Sequence, residues 1–175
     1  MWLTCQYKIL TKDQLRTRGW SGYSKCPFCN HDKTVNHLFI TCSFARQIWF
    51  WMGNSVHFFT SWHHMEDILE FAVHLSKSEQ SAFLMVLSAL CWTIWKHRNE
   101  ICFQHVQPKT GRTLIFLIIS LIKYWLGSKR VDQATQMATQ GWLPTDAMLE
   151  LIPIRVWVPG DDQLLPFPPE STPAD

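Results

Sequence analysis

Apolar residues recur three and four positions apart through most of the chain, the spacing of helices that bury one face. Residues 11–19 read as a short helix that Thr11 caps, with Gln14 completing a capping box and Gly19 supplying the stop. From Thr34 the apolar positions are Val35, Leu38 and Phe39, with Cys42 a turn later. After Ser43 the pattern resumes at Phe44, Ile48, Trp49 and Met52, until Gly53-Asn54 ends it. A second helical stretch starts near Met65 and carries Ile68, Leu69, Ala72, Val73 and Leu75. The longest predicted helix spans 79–104 behind a Ser78 cap, with Phe83, Val86, Leu87, Leu90, Ile94, Ile101 and Cys102 inward and Pro108 closing the run. Another helix is expected from Thr110 or Arg112 to Leu126, and a polar one over 131–139. Beyond Trp142 the prolines at 144, 153, 159, 166, 168 and 169 exclude long helices. There 151–158 reads as an extended arm, and the chain after Gly160 as a disordered tail.

The predicted fold is therefore mainly α: a small cysteine-bearing N-terminal segment over 1–54, a helical region over 62–140 packed on it, and an irregular proline-rich stretch over 141–175. Composition agrees, since 47% of 175 residues are hydrophobic and ten are tryptophan, ample material for one core. Two apolar runs, 81–95 and 114–122, fall short of the ~18–20 residues a membrane span needs and end at Lys96 and Lys123. Core helices are the expectation, with no membrane partner. The six cysteines are sparse, and Gln6 and Lys8 break any export signal in the first ten residues. An intracellular location, nucleus or cytoplasm and not secreted, follows as the expectation. The net charge of +2 is small but unevenly placed: residues 1–46 carry +5 and the remainder −3.

That positive charge surrounds the one constellation with clear chemistry, Cys26-Pro-Phe-Cys29 followed by His37 and Cys42. Two thiolates two residues apart reach one ion from a single reverse turn, and an imidazole and a third thiolate complete a tetrahedral zinc set. Three Cys and one His are a closed structural set with no open position for substrate. His31 is the one substitute ligand, ranked below His37. A thioredoxin-type redox pair would need a strand before the Cys-x-x-Cys and a helix after it, whereas turn residues flank this one. A structural zinc contributes on the order of 10 kcal/mol to folding a segment like this, otherwise poor in apolar mass.

These residues also carry a resemblance. Leu10-Thr-Lys-Asp-Gln-Leu15, Cys26-Pro-Phe-Cys29, His37-Leu-Phe-Ile-Thr-Cys42-Ser-Phe-Ala45 and Ile48-Trp49 resemble the reverse-transcriptase zinc-binding domain of plant LINE-type (non-LTR) retrotransposons. Trp92-Thr-Ile-Trp95-Lys-His-Arg98-Asn99 is similar to a segment that often follows that domain. The matches run over 10–103. Nothing resembles the polymerase palm or a ribonuclease H opening, so the chain reads as a detached C-terminal piece without catalytic activity. The resemblance implies zinc on Cys26, Cys29, His37 and Cys42, and a role in nucleic-acid binding, RNA or DNA, beside a reverse transcriptase polypeptide.

Arg16, Arg18, Lys25, Lys33 and Arg46 are the expected phosphate contacts, with Phe28 or Phe39 available to stack on an unpaired base. Trp92 and Trp95, at helical spacing, are expected in the core, with Arg98 and Asn99 bonding a neighbouring element. His63-His64 reads as a cap or solvated face rather than a metal pair, because adjacent helical positions point apart. Cys91 and Cys102 read as buried thiols. No Ser-His-Asp grouping, phosphate loop or dinucleotide fingerprint occurs. The competing readings are a protein-interaction or structural domain in which zinc only holds the fold, and a retroelement remnant with no function as a separate chain.

Overall fold

A computed structural model describes residues 15–19, 21, 25–29, 31–32, 34–53, 62–128 and 131–152. Among them six α-helices follow a π-helical turn: α1 (Ser43–Gly53), α2 (Met65–Val73), α3 (Lys77–Gln104), α4 (Gly111–Ser128), α5 (Gln133–Gly141) and α6 (Asp146–Leu151). No strand occurs among the described residues; an isolated bridge joins Lys25 and Asp32. The mainly helical expectation holds. The proposed arm over 151–158 and tail fall almost wholly outside the described residues, as do Thr11 and Gln14. Gly19 does stop its turn, at a φ of +85° that only glycine adopts freely.

α3 is the spine. At 28 residues it is about 42 Å long, and it packs against α2, α4, α5 and the π turn. Burial on several sides explains why its apolar residues spread beyond one stripe: Ala82, Phe83, Val86, Leu87, Ala89, Leu90, Cys91 and Ile94 are all buried. Ile101 and Cys102, expected inward, are only half-buried, and Phe103 and Gln104 after them are exposed. The cap is Ser76 rather than Ser78. Ser76 Oγ accepts from the Glu79 amide at 3.4 Å and Glu79 Oε2 accepts from the Ser76 amide at 3.0 Å. The box requires Glu three residues after the cap, which selects Ser76 over Ser78.

α4 buries Leu114, Ile115, Ile118, Ile119 and Ile122 and turns Phe116, Leu117 and Tyr124 to solvent. It is longer than its apolar run suggests: 18 residues, long and apolar enough by length and composition to cross a membrane. Its five buried aliphatic residues instead belong to the same core as α1 and α3. α5 packs on α3 through Thr135 and Thr139, side chains small enough for close approach. Its cap is Asp132, whose Oδ1 accepts from the Thr135 amide at 2.9 Å. The proline count gives no hint of α6, whose last turn is tied back when the Arg112 guanidinium donates to the carbonyls of Glu150 (2.6 Å) and Ile152 (3.2 Å).

One apolar cluster runs from Cys26 through α1, α2, α3 and α4 to Ile152. The zinc-binding segment therefore does not sit beside the helical region; its Phe28, Val35, Leu38, Phe39 and Ile40 are part of that core. The segment also caps α2, since Asn36 Oδ1 accepts from the Met65 amide at 3.3 Å. Asp67 Oδ2 accepts from the amides of His63 and His64, both at 2.9 Å, so that pair ends a helix, as expected.

Candidate metal centre

The knuckle is built by a turn over Pro27–Cys29 that two backbone amides close. The Cys26 amide donates to the His31 carbonyl at 2.8 Å, and the Phe28 amide donates to Cys26 Sγ at 3.4 Å. The second pair is spaced by an unusual local structure. His37–Thr41 is a π-helical turn in which the Cys42 amide donates to the His37 carbonyl at 3.0 Å, one residue beyond the α-helical partner. An α-turn places residues i and i+4 on one face; widening it by one residue brings i and i+5 into register. The x4 spacing between His37 and Cys42 thus has a backbone cause. Thr34 anchors the turn's start, its Oγ1 accepting from the His37 amide at 3.0 Å.

The four side chains converge. Cys42 Sγ lies 3.8 Å from Cys26 Sγ and 3.7 Å from Cys29 Sγ, and His37 Nε2 lies 3.2 Å from Cys29 Sγ. No two of the four ligand atoms are more than 4.8 Å apart. Tetrahedral zinc with Zn–S near 2.3 Å requires sulfurs about 3.8 Å apart. The donor set and its spacing fit one zinc ion, and the chain carries a zinc site. His31 contributes its backbone carbonyl to the knuckle while its ring is exposed, outside the ligand group.

The electrostatics suit a cation. Hydrogen bonds from the Cys29 and Cys42 thiols hold Cys26 far below the ordinary thiol range, with smaller help from His37 and Arg98. The same sharing pushes Cys29 and Cys42 up, through the bond to Cys26 first in each case. In each case the leading cause is the contact between the sulfurs themselves, and a divalent ion takes the place of protons at those sulfurs when it binds.

Arg98 reaches this site from α3, 72 residues along the chain, its Nη2 donating to Cys26 Sγ at 3.3 Å. Its guanidinium carbon is 6.0 Å from the centre of the Phe28 ring. The expectation that Arg98 bonds a neighbouring element holds, but the partner is a zinc ligand, which no local spacing reveals.

Other expected contacts fare differently. Phe28 and Phe39 are buried, so neither stacks on a base: Phe28 lies parallel to Phe44 with ring centres 4.1 Å apart, because the knuckle turns inward onto α1 and α3. Trp92, expected in the core, is 51% exposed and leans on half-buried Trp95 at 5.3 Å, because its face of α3 opens on a cavity toward Leu117 of α4 rather than packing into the core. Cys91 is buried. Of the basic residues, Arg16 and Arg18 are exposed, Lys25 pairs with Asp32 at 3.2 Å, Arg46 is half-buried, and Lys33 lies outside the described residues.

A helical protein held at one end by a Cys3His zinc centre is the class these features define. The model of the family described as zinc-binding in reverse transcriptase matches residues 1–49. That match contains all four ligands and covers an accessory zinc-binding unit rather than a polymerase. No curated protein and no solved structure matches the chain.

Proposed function

We propose that this chain is a retroelement-derived, non-catalytic zinc module of LINE type that binds nucleic acid, RNA or DNA, beside a reverse transcriptase, inside the cell. The observation that supports it is the coincidence of the family match with the ligand set and with the +5 charge of residues 1–46. Zinc here is structural: four protein ligands leave no position for a reacting group. Exposed Arg16 and Arg18 are the first contacts to test, ahead of Lys25, Lys33 and Arg46.

Fluorescence anisotropy with labelled single-stranded RNA and DNA tests this. If two to four phosphates are neutralised, affinity falls roughly 7- to 50-fold between 50 and 200 mM salt. Arg16→Ala/Arg18→Ala should flatten that dependence. No binding at micromolar protein in 50 mM salt refutes the reading.

A second reading, docking to a protein partner, is favoured by the apolar residues exposed on α3 and α4. Trp92 and Leu117 line a half-open cavity of about 270 Å³ with Lys96, His97, Glu100 and Lys109, and Phe116 and Tyr124 are exposed on the same helix as Leu117. Loss of a polymerase interaction in Leu117→Asp with nucleic-acid binding intact would support it.

A further inference from the structure

Zinc bound by three thiolates and a neutral imidazole carries a net charge of −1. Here it would sit among buried groups, since Cys26, His37 and Cys42 are all buried. Burying charge without a partner is costly. Arg98 presents the converse problem: it is 4% exposed, Nη1 finds no acceptor, and among the described residues no carboxylate pairs with it. The atom it does reach is Cys26 Sγ. Two buried, uncompensated charges of opposite sign in contact explain each other.

We propose that Arg98 is the counter-ion of the zinc–thiolate centre, a positioning residue that holds Cys26 through an N–H···S bond and couples metal loading to the packing of α3. This rests on the zinc reading above. It gives the Arg in the Trp92–Asn99 segment a task in the site of residues 26–42, and it makes the two parts of the chain one cooperative unit. Phe28 completes the link: it lies between two ligands in sequence, under the guanidinium, and 6.1 Å from the His97 ring.

The test uses the full chain with Arg98→Met, Arg98→Lys and a core control, Phe83→Leu, fifteen residues from Arg98 and so roughly 22 Å along α3. Zinc affinity is measured by competition with a chromophoric chelator, and the coordination sphere by the absorption of the cobalt(II)-loaded protein. Residues that support metal ligands typically contribute 10- to 100-fold in affinity. Arg98→Met should lose that much, and its sulfur-to-cobalt band should move to lower energy as Cys26 loses its hydrogen bond. Arg98→Lys keeps the charge but loses the guanidinium fork, and should stop at a several-fold loss with a smaller shift of the band. Phe83→Leu should lower the melting temperature with the cobalt spectrum unchanged. The inference is overturned if cobalt-loaded Arg98→Met is superimposable on wild type and its zinc affinity falls no further than that of Phe83→Leu. Should Arg98→Met not fold, Arg98→Lys decides: an unaltered spectrum and affinity overturn the proposal, and a shifted band with a several-fold loss supports it. A wild-type chain that takes up neither metal overturns the zinc reading itself, and this inference with it.

Discussion

Phe28 offers the sharpest trial of the fold, because its place in the sequence and its place in the structure suggest opposite roles. As the second intervening residue of a knuckle in a basic segment, it invites a reading as a base-stacking platform. In the structure its ring is 2% exposed, parallel to Phe44 within 8°, and part of the core that runs into α3. Phe28→Ala removes about 150 Å² of buried apolar surface, which at about 25 cal/mol per Å² is roughly 4 kcal/mol. Measured Phe→Ala costs in cores span about 3–5 kcal/mol. With a urea m-value of about 2 kcal/mol/M, the midpoint should fall by about 2 M. Urea unfolding in excess zinc, followed by tryptophan fluorescence and far-ultraviolet circular dichroism, gives the number if the two transitions coincide. Phe116→Ala, at a position 48% exposed, is the comparison and should cost about 1 kcal/mol or less. If the two variants shift the midpoint equally little while Phe28→Ala loses nucleic-acid affinity, the ring is not a core element and the packing described here is wrong.

Four further outcomes follow from the same structure. His37→Ala or Cys42→Ser should weaken zinc binding at least 100-fold, and chelating zinc from the wild type should lower the helix signal as well as loosen residues 25–42, because both share one core; a chelated protein with an unchanged melting curve refutes this. Burial, and then the nearby Lys109 charge, push His97 from 6.5 to about 4, so the folded state holds it neutral. The unfolded chain therefore takes up a proton first as pH falls through 6.5, and stability drops by up to about 3 kcal/mol between pH 6.5 and 4; His97→Gln should lack that share of the loss in matched urea melts. Ser76→Ala should cost about 1 kcal/mol and Ser78→Ala a few tenths at most, readable from thermal melts. Trp92→Ser with Leu117→Ser should raise solubility with the melting temperature held, whereas a loss of several degrees would mean that this face is core.

Most helices were legible because their signals are local. The stretch over 65–73, the capped run ending before Pro108 and the polar helix begun by Asp132 each carry a periodicity or cap within a few residues. The errors also have local causes. Two serines two residues apart compete to cap α3, and only the reach of Glu79 decides between them. Trp92 shares helical spacing with Trp95, yet spacing says which residues share a face and not which face acquires a neighbour. Val73 closes an apolar run on α2 but is 72% exposed for the same reason. α6 is hidden because proline density argues against helix while Thr145-Asp146 begins a turn too short to show a period.

The metal site divides along the same line. Cys26, Cys29, His37 and Cys42 can be found from spacing because the knuckle is a backbone geometry and the x4 interval is closed by the π turn, so chemistry and local structure agree within seventeen residues. Arg98 could not be paired with them that way. A buried guanidinium is a question about charge, and its answer lies where the chain returns after α1 and α2 have been laid down. Yet a sequence signal exists in retrospect. An arginine one turn after the apolar positions Leu90 and Ile94, with no acidic residue at i−4, i−3, i+3 or i+4 to meet it, needs a negative partner from outside the helix if that face is buried. In this chain the zinc–thiolate centre is a source of negative charge inside the core that does not depend on a carboxylate. The helical body and the zinc segment, far apart in sequence, thus depend on each other: each supplies the charge that makes burial of the other tolerable, and a chain that loses either loses both.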